Sequence, residues 1–379
     1  MGRELGETRI AGLHLPVALS LIAVGVGHLV VDGLQPFTVL RAAFPLALGG
    51  FVVLVIGTSR MLLSGRANVA VAGRWAWWVP GLAATSGSLG LYAAFGGRAW
   101  LLSPAALLWG AGLGLHVGLL GFSLARARQG ASVVDGWPAL SATVAGLGYG
   151  LAAAVAIPSV PLLGFGLLAA LHLVLTGFVV LAIAAVVLGV LPGITGRAIA
   201  TPVAGVLAVG LSLGPMLLAE GLNGSALQLR LGAIVEGIGL VGLGGVLVWS
   251  TITSERERAS FWLYGAAGIS VLLGAMLGAA IVMGWTTRGQ APWHGAVTLL
   301  GFVGLVVLGA VMDLFAPALE PRADPLERHN ITVVGLALTG MAGLVAVPLV
   351  PGWTLRVALV AYLAAVGLHL VGSIARLER

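Results

Sequence analysis

The chain has no cysteine and no lysine, and only 8% of its 379 residues are charged. Without cysteine there are no disulfides, thiolate metal sites, thioether-linked haem or iron–sulfur clusters. His, Asp, Glu, Tyr and Met remain as potential ligands. All 19 basic residues are arginine, a bias that fits GC-rich coding. A soluble domain carries roughly 25% charged residues. With 59% hydrophobic residues and a mean hydropathy of +1.08, this chain cannot build a water-facing surface of its size. Composition therefore indicates an all-α polytopic membrane protein whose main partner is the lipid bilayer. The Arg excess, net charge +6, belongs to loops at the membrane face and not to nucleic-acid binding.

Apolar runs of about 20 residues can each cross a bilayer as a helix. Twelve are marked by the sequence: 13–31, 43–63, 76–95, 104–124, 139–158, 162–191, 200–220, 231–252, 261–284, 292–315, 331–350 and 355–374. The Pro-rich stretch "IPSVP" at 157–161 divides the fifth from the sixth. No small-residue cleavage pattern follows the first run, so it reads as a membrane helix and not as a cleaved leader. The whole chain, 1–379, reads as one integral membrane domain.

Arginines set the expected orientation. With the N-terminus inside, the inner segments hold Arg3, Arg9, Arg60, Arg66, Arg74, Arg126, Arg128, Arg197, Arg256, Arg258, Arg322, Arg328, Arg376 and Arg379; the outer ones hold Arg41, Arg98, Arg230, Arg288 and Arg356. That bias of 14 to 5 places both termini in the cytoplasm of a plasma-membrane protein by the positive-inside rule. Trp75, Trp77, Trp78, Trp100, Trp137, Trp285, Trp293 and Trp353 fall near span ends, as an interfacial aromatic belt requires. Gly110, Gly114 and Gly118 share one face of span four, and Gly274 and Gly278 one face of span nine. Small faces of this kind let helices approach closely.

Ionisable residues within membrane helices usually face a cavity, a partner or a cofactor; otherwise they fix packing through an interhelical hydrogen bond. His172 and His116 read as mid-depth in spans six and four, with His28 and His294 near outer ends. Glu220 and Glu236 occupy the outer parts of spans seven and eight, and His369 the inner part of span twelve. Glu236 reads either as part of a proton or water path or as a partner of Arg230. His14 and His329 read as solvated edges and Asp313 as a solvated helix end, with Tyr264 a lesser candidate. The expectation is that His28, His172, His294 and Glu236 meet in one outer cavity.

Leu115-His116-x-x-Leu119-x-Gly121-Phe122 recurs as Leu171-His172-x-x-Leu175-x-Gly177-Phe178. Span ten, "WHGAVTLLGFVGLVVLGAVMDLFAP", aligns with span six when Gly301-Phe302 is set on Gly177-Phe178. Ala296 then takes the place of His172, and His294 lies two residues earlier, on the opposite side of the helix. Twelve spans with this His-x-x-x-x-Gly-Phe frame resemble the catalytic-subunit superfamily of the haem–copper oxidases. That superfamily includes divergent single-subunit relatives such as the NnrS-like proteins of nitric-oxide stress. "ALHLVLTGFVVLAI…GITGR" is similar to a helix of that group. The four-helix offset between spans six and ten points to the oxidases' three-fold arrangement.

The resemblance implies that His294 keeps the high-spin haem position of span ten and that Ala296 has lost the low-spin one. Span two has no histidine, which removes the other low-spin ligand. It also implies a copper ligand at His172, with His28 and His116 as further metal candidates. The usual nearby tyrosine is missing, however, and span seven, "TPVAGVLAVGLSLGPMLLAEG", lacks the His-His pair. What remains is at most one haem, with copper only in an incomplete shell, serving nitric-oxide or respiratory redox chemistry. A separate electron donor would be needed. A non-enzymatic transporter or metal-handling scaffold is the alternative.

Overall fold

The computed structural model describes residues 14–57, 74–127, 137–163, 166–315, 327–346 and 352–377. Among these there is no strand. Twelve long helices carry the described chain: α1 (His14–Asp32), α2 (36–57), α3 (Arg74–Phe95), α4 (Leu102–Ala127), α5 (Trp137–Leu163), α6 (Leu167–Gly189), α7 (Thr201–Leu222), α8 (Ala226–Ile252), α9 (Ala259–Met283), α10 (291–315), α11 (Arg328–Ala346) and α12 (Gly352–Leu377). Eleven are long and apolar enough to cross a membrane; α3, with Thr85, Ser86 and Ser88 along its length, is less apolar. Large apolar side chains such as Leu82, Val155, Ile238, Trp262 and Val371 stand exposed on the outside of the bundle, where lipid would cover them. The protein is a multi-pass membrane protein.

The expected break at 157–161 lies elsewhere. Helix α5 continues through Pro158 and Pro161 to Leu163, and α6 begins at Leu167 behind Gly166. The Pro158 ring sits against Gly110 of α4, where any Cβ would collide with it. A packed neighbour is what lets a membrane helix tolerate proline. His172 is consequently five residues from the start of its helix, shallower than a span beginning at 162 would make it.

Three helices form the centre. α2, α10 and α6 are the most buried spans, at 78%, 83% and 56%. Each contains a π-helical stretch at the same place: Phe44–Phe51, Leu173–Val179 and Val297–Gly304. Each stretch ends around a Gly-Phe pair: Gly50-Phe51, Gly177-Phe178 and Gly301-Phe302. A π-turn inserts one residue and shifts the carbonyl pattern, so backbone oxygens become free for outside donors. The other nine helices surround this centre. α3 packs on α4, α7 on α8 and α11 on α12; α4 meets α5, α8 meets α9, and α12 closes the ring on α1. The described chain is thus three four-helix units, α1–α4, α5–α8 and α9–α12, each with its second helix inside.

The third and fourth helices of each unit repeat in detail. Gly87 of α3 abuts the backbone of Trp109 on α4, and Gly340 of α11 abuts that of Tyr362 on α12. In the middle unit Gly214 of α7 abuts Glu236 on α8. Trp109 Nε1–H donates to the Leu48 carbonyl at 2.8 Å, and Tyr362 Oη–H to the Leu300 carbonyl at 2.9 Å. Both acceptors lie in the π-helical stretches. Tyr362→Phe should therefore leave the Leu300 carbonyl without a donor and cost about 1–2 kcal/mol, measurable as a lowered thermal midpoint in a fixed detergent.

Candidate functional site

The three inner helices bound three equivalent spaces. The first lies between α2 and α6 and is closed by α4 and α5; the second lies between α6 and α10, closed by α8 and α9; the third lies between α10 and α2, closed by α12 and α1. Trp109 fills its position in the first and Tyr362 in the third, both with less than 2% or about 2% of their surface exposed. In the second the corresponding residue is Glu236, 2% exposed.

Two further residues depart from the three-fold pattern. Five positions before the Gly-Phe pair stand Pro45, His172 and Ala296; seven positions before it stand Ala43, Ala170 and His294. Both histidines belong to the second space. His294 Nδ1 bonds the Gly274 carbonyl at 2.9 Å, and its ring lies on Gly278, where a Cβ would stand 2.9 Å from Cε1. The glycine face of α9 therefore receives this imidazole. His172 Nδ1 bonds its own helix at the Leu168 carbonyl, 2.9 Å away. The two imidazoles are close enough to interact electrostatically. One turn beyond His172, the Thr176 hydroxyl donates to the His172 carbonyl at 2.8 Å, and Thr176 lies beside the Glu236 carboxyl. Tyr149 of α5 lies over Gly177, donates to the Ser212 carbonyl and sits near enough to Glu236 to interact with it.

His172 and His294 keep part of their surface accessible, whereas Glu236, ten residues into α8, is buried. The two imidazoles stand near the starts of their helices and the carboxyl further along α8. These starts form the outer end in the expected topology. Glu236 Oε2 is buried and has no hydrogen-bond partner. The pair with Arg230 does not form: Arg230 is exposed, and a separation of six residues turns it about 240° around α8.

The other sequence candidates lie elsewhere. His28 belongs to a rim cluster: its Nδ1 is 3.1 Å from Asp32 Oδ2, its ring is edge-on to Tyr92, and Arg41 lies over Tyr92 at 4.4 Å. His172 thus lies near His294, Glu236 lies beside Thr176 one turn along α6 from His172, and His28 belongs to this separate cluster. Glu220 is exposed and accepts a hydrogen bond from Gln228 Nε2 across the α7–α8 turn. His116 is fully buried and interacts with His14, nearer the inner end than His172 is to it.

Three readings of edge residues are corrected. His14 is 1% exposed and stacks on Trp78 at 4.6 Å, so it is a buried group and not a solvated one. His329 is half-buried beside His369, with ring centroids 6.1 Å apart. Asp313 is buried and ion-paired with Arg258 at 2.9 Å, with Ser260 and Tyr264 as neighbours. In each case a neighbouring helix covers a residue that looks terminal along the chain.

The true repeat partner of His116 is also different from the one the sequence suggests. Trp109 and His116 on α4 correspond to Tyr362 and His369 on α12, each seven residues apart and each within Gly-Leu-His. The unit-two equivalent is the buried Leu243. The signal was present as Gly114-Leu115-His116 and Gly367-Leu368-His369, but it becomes readable only once the four-helix unit is known.

No family model and no curated protein matches this chain.

Proposed function

We propose that the chain is a twelve-crossing plasma-membrane protein of haem–copper oxidase catalytic-subunit architecture, close in kind to the NnrS-like proteins, reduced to one working pocket. In this reading it binds a single haem through His294 and handles a small gas molecule in nitric-oxide or respiratory redox chemistry. The observation that carries the reading is the coincidence of departures. His172, His294 and Glu236 each break the three-fold pattern, and all three fall in the same one of three equivalent spaces.

The donor chemistry fits one haem. An axial imidazole needs its second nitrogen tied to an acceptor, which fixes the ring and leaves Nε2 for iron. The Gly274 carbonyl supplies that tie to His294. Haem held there would supply the chemistry of binding a diatomic ligand. The chain's own residues do the rest: His294 anchors, His172 lines the same pocket, and Glu236 presents a carboxyl at its floor. Copper fits poorly. A tight site needs more ligands than His172 alone offers.

Bound haem per chain should be measured for wild type, His294→Ala and His172→Ala, each produced with haem supplied. The expected result is loss of haem in His294→Ala, with most retained in His172→Ala. Equal retention in all three would remove His294 as the ligand. A haem-free wild type would move the reading to a transporter or metal-handling scaffold.

Twelve crossings with both termini cytoplasmic complete the proposal, on the strength of the 14-to-5 arginine bias. Reporter fusions within 64–74 and 285–291 should report opposite sides of the membrane; the same side would break the count between them.

A further inference from the structure

We infer that the floor of the pocket binds a water-sized hydrogen-bond donor on Glu236 Oε2, in the volume that Trp109 and Tyr362 fill in the two sister spaces. The inference deepens the pocket reading above and rests on it for the pocket's importance, but not for the floor's chemistry.

Backbone packing at the three positions is alike. Gly87, Gly214 and Gly340 each press against the residue opposite, so the three side chains start from equivalent points. Two of them are rings and the third is a carboxyl. A carboxyl is smaller than an indole or phenol by about the volume of two waters, at roughly 30 Å³ each. The same exchange changes the donor pattern. Trp109 and Tyr362 each donate to a carbonyl of a π-helical stretch. Glu236 faces Thr176 in the corresponding stretch.

Glu236 Oε2 is an acceptor that is buried and has no hydrogen-bond partner. A buried acceptor left unmade is costly, and such sites hold ordered water when they are polar and roomy enough. The ligand class follows: one or two heavy atoms with at least one hydrogen to donate.

The test is to restore the three-fold pattern. Glu236→Tyr places in α8 what α12 already has, whereas Glu236→Leu fills space without offering a donor. Thermal midpoints in one detergent should rank Glu236→Tyr at or above wild type and several degrees above Glu236→Leu. If the space is closed around the carboxyl, the ring overpacks it and Glu236→Tyr falls below Glu236→Leu, which overturns the inference. This readout does not involve haem, so failure here and failure of haem binding are separate outcomes.

Discussion

Arg258→Ala is expected to destabilise the folded protein by about 3 kcal/mol. Asp313 shows only 3% of its side chain to solvent and takes its one ionic contact from Arg258. Removing the guanidinium leaves a carboxylate among Ser260, Tyr264 and the α9–α10 interface with no cation to offset its desolvation. The pair itself need not be stabilising relative to apolar residues of similar size. The double variant Arg258→Met/Asp313→Leu should therefore recover most of the lost stability. Thermal melts of wild type, single and double variants in the same detergent check both statements. A double variant no better than Arg258→Ala would show that packing, not the uncompensated charge, sets the cost.

Trp109→Ala should cost about 3–5 kcal/mol, the range for truncating a fully buried tryptophan. Its indole has essentially no exposed surface and supplies the donor for Leu48 in α2. Trp109→Phe restores most of the volume but no donor, so its loss should be less than half as large. Because Gly87 and Gly340 frame Trp109 and Tyr362 in the same way, Trp109→Tyr should be tolerated better than Trp109→Ala by several degrees of thermal midpoint. Equal losses for Ala and Tyr at this position would deny that the first and third spaces are equivalent.

Hydropathy alone made most of the fold legible. Eleven of the expected apolar runs correspond to helices long and apolar enough to cross a membrane, and α3, with Thr85, Ser86 and Ser88, is a long helix that falls short of that mark. Span ends were less legible. Pro158 and Pro161 resemble a break, yet Gly110 on a neighbouring helix makes room for the ring and α5 runs through. The pairing of spans six and ten through Gly-Phe was legible as well. Its third copy, Gly50-Phe51, lies in a helix with no histidine to draw attention to it. His172 and His294 could be named from their frame, and Glu236 from its depth. The reason they belong together could not. It depends on which helices face which space, and a linear pattern holds no record of that. His14, His329 and Asp313 were misread for the same cause: each lies near a helix end along the chain, and each is covered by another helix in space.

We propose at the centre of this reading that one of three equivalent spaces is a working pocket in which His294 would hold a single haem able to take a small gas molecule. A carbon monoxide difference spectrum of the reduced wild-type protein, purified after expression with haem supplied, tests it most directly. The account predicts a Soret band that shifts on adding carbon monoxide and is lost in His294→Ala. Wild-type protein without Soret absorption, or with a band that carbon monoxide does not move, contradicts it.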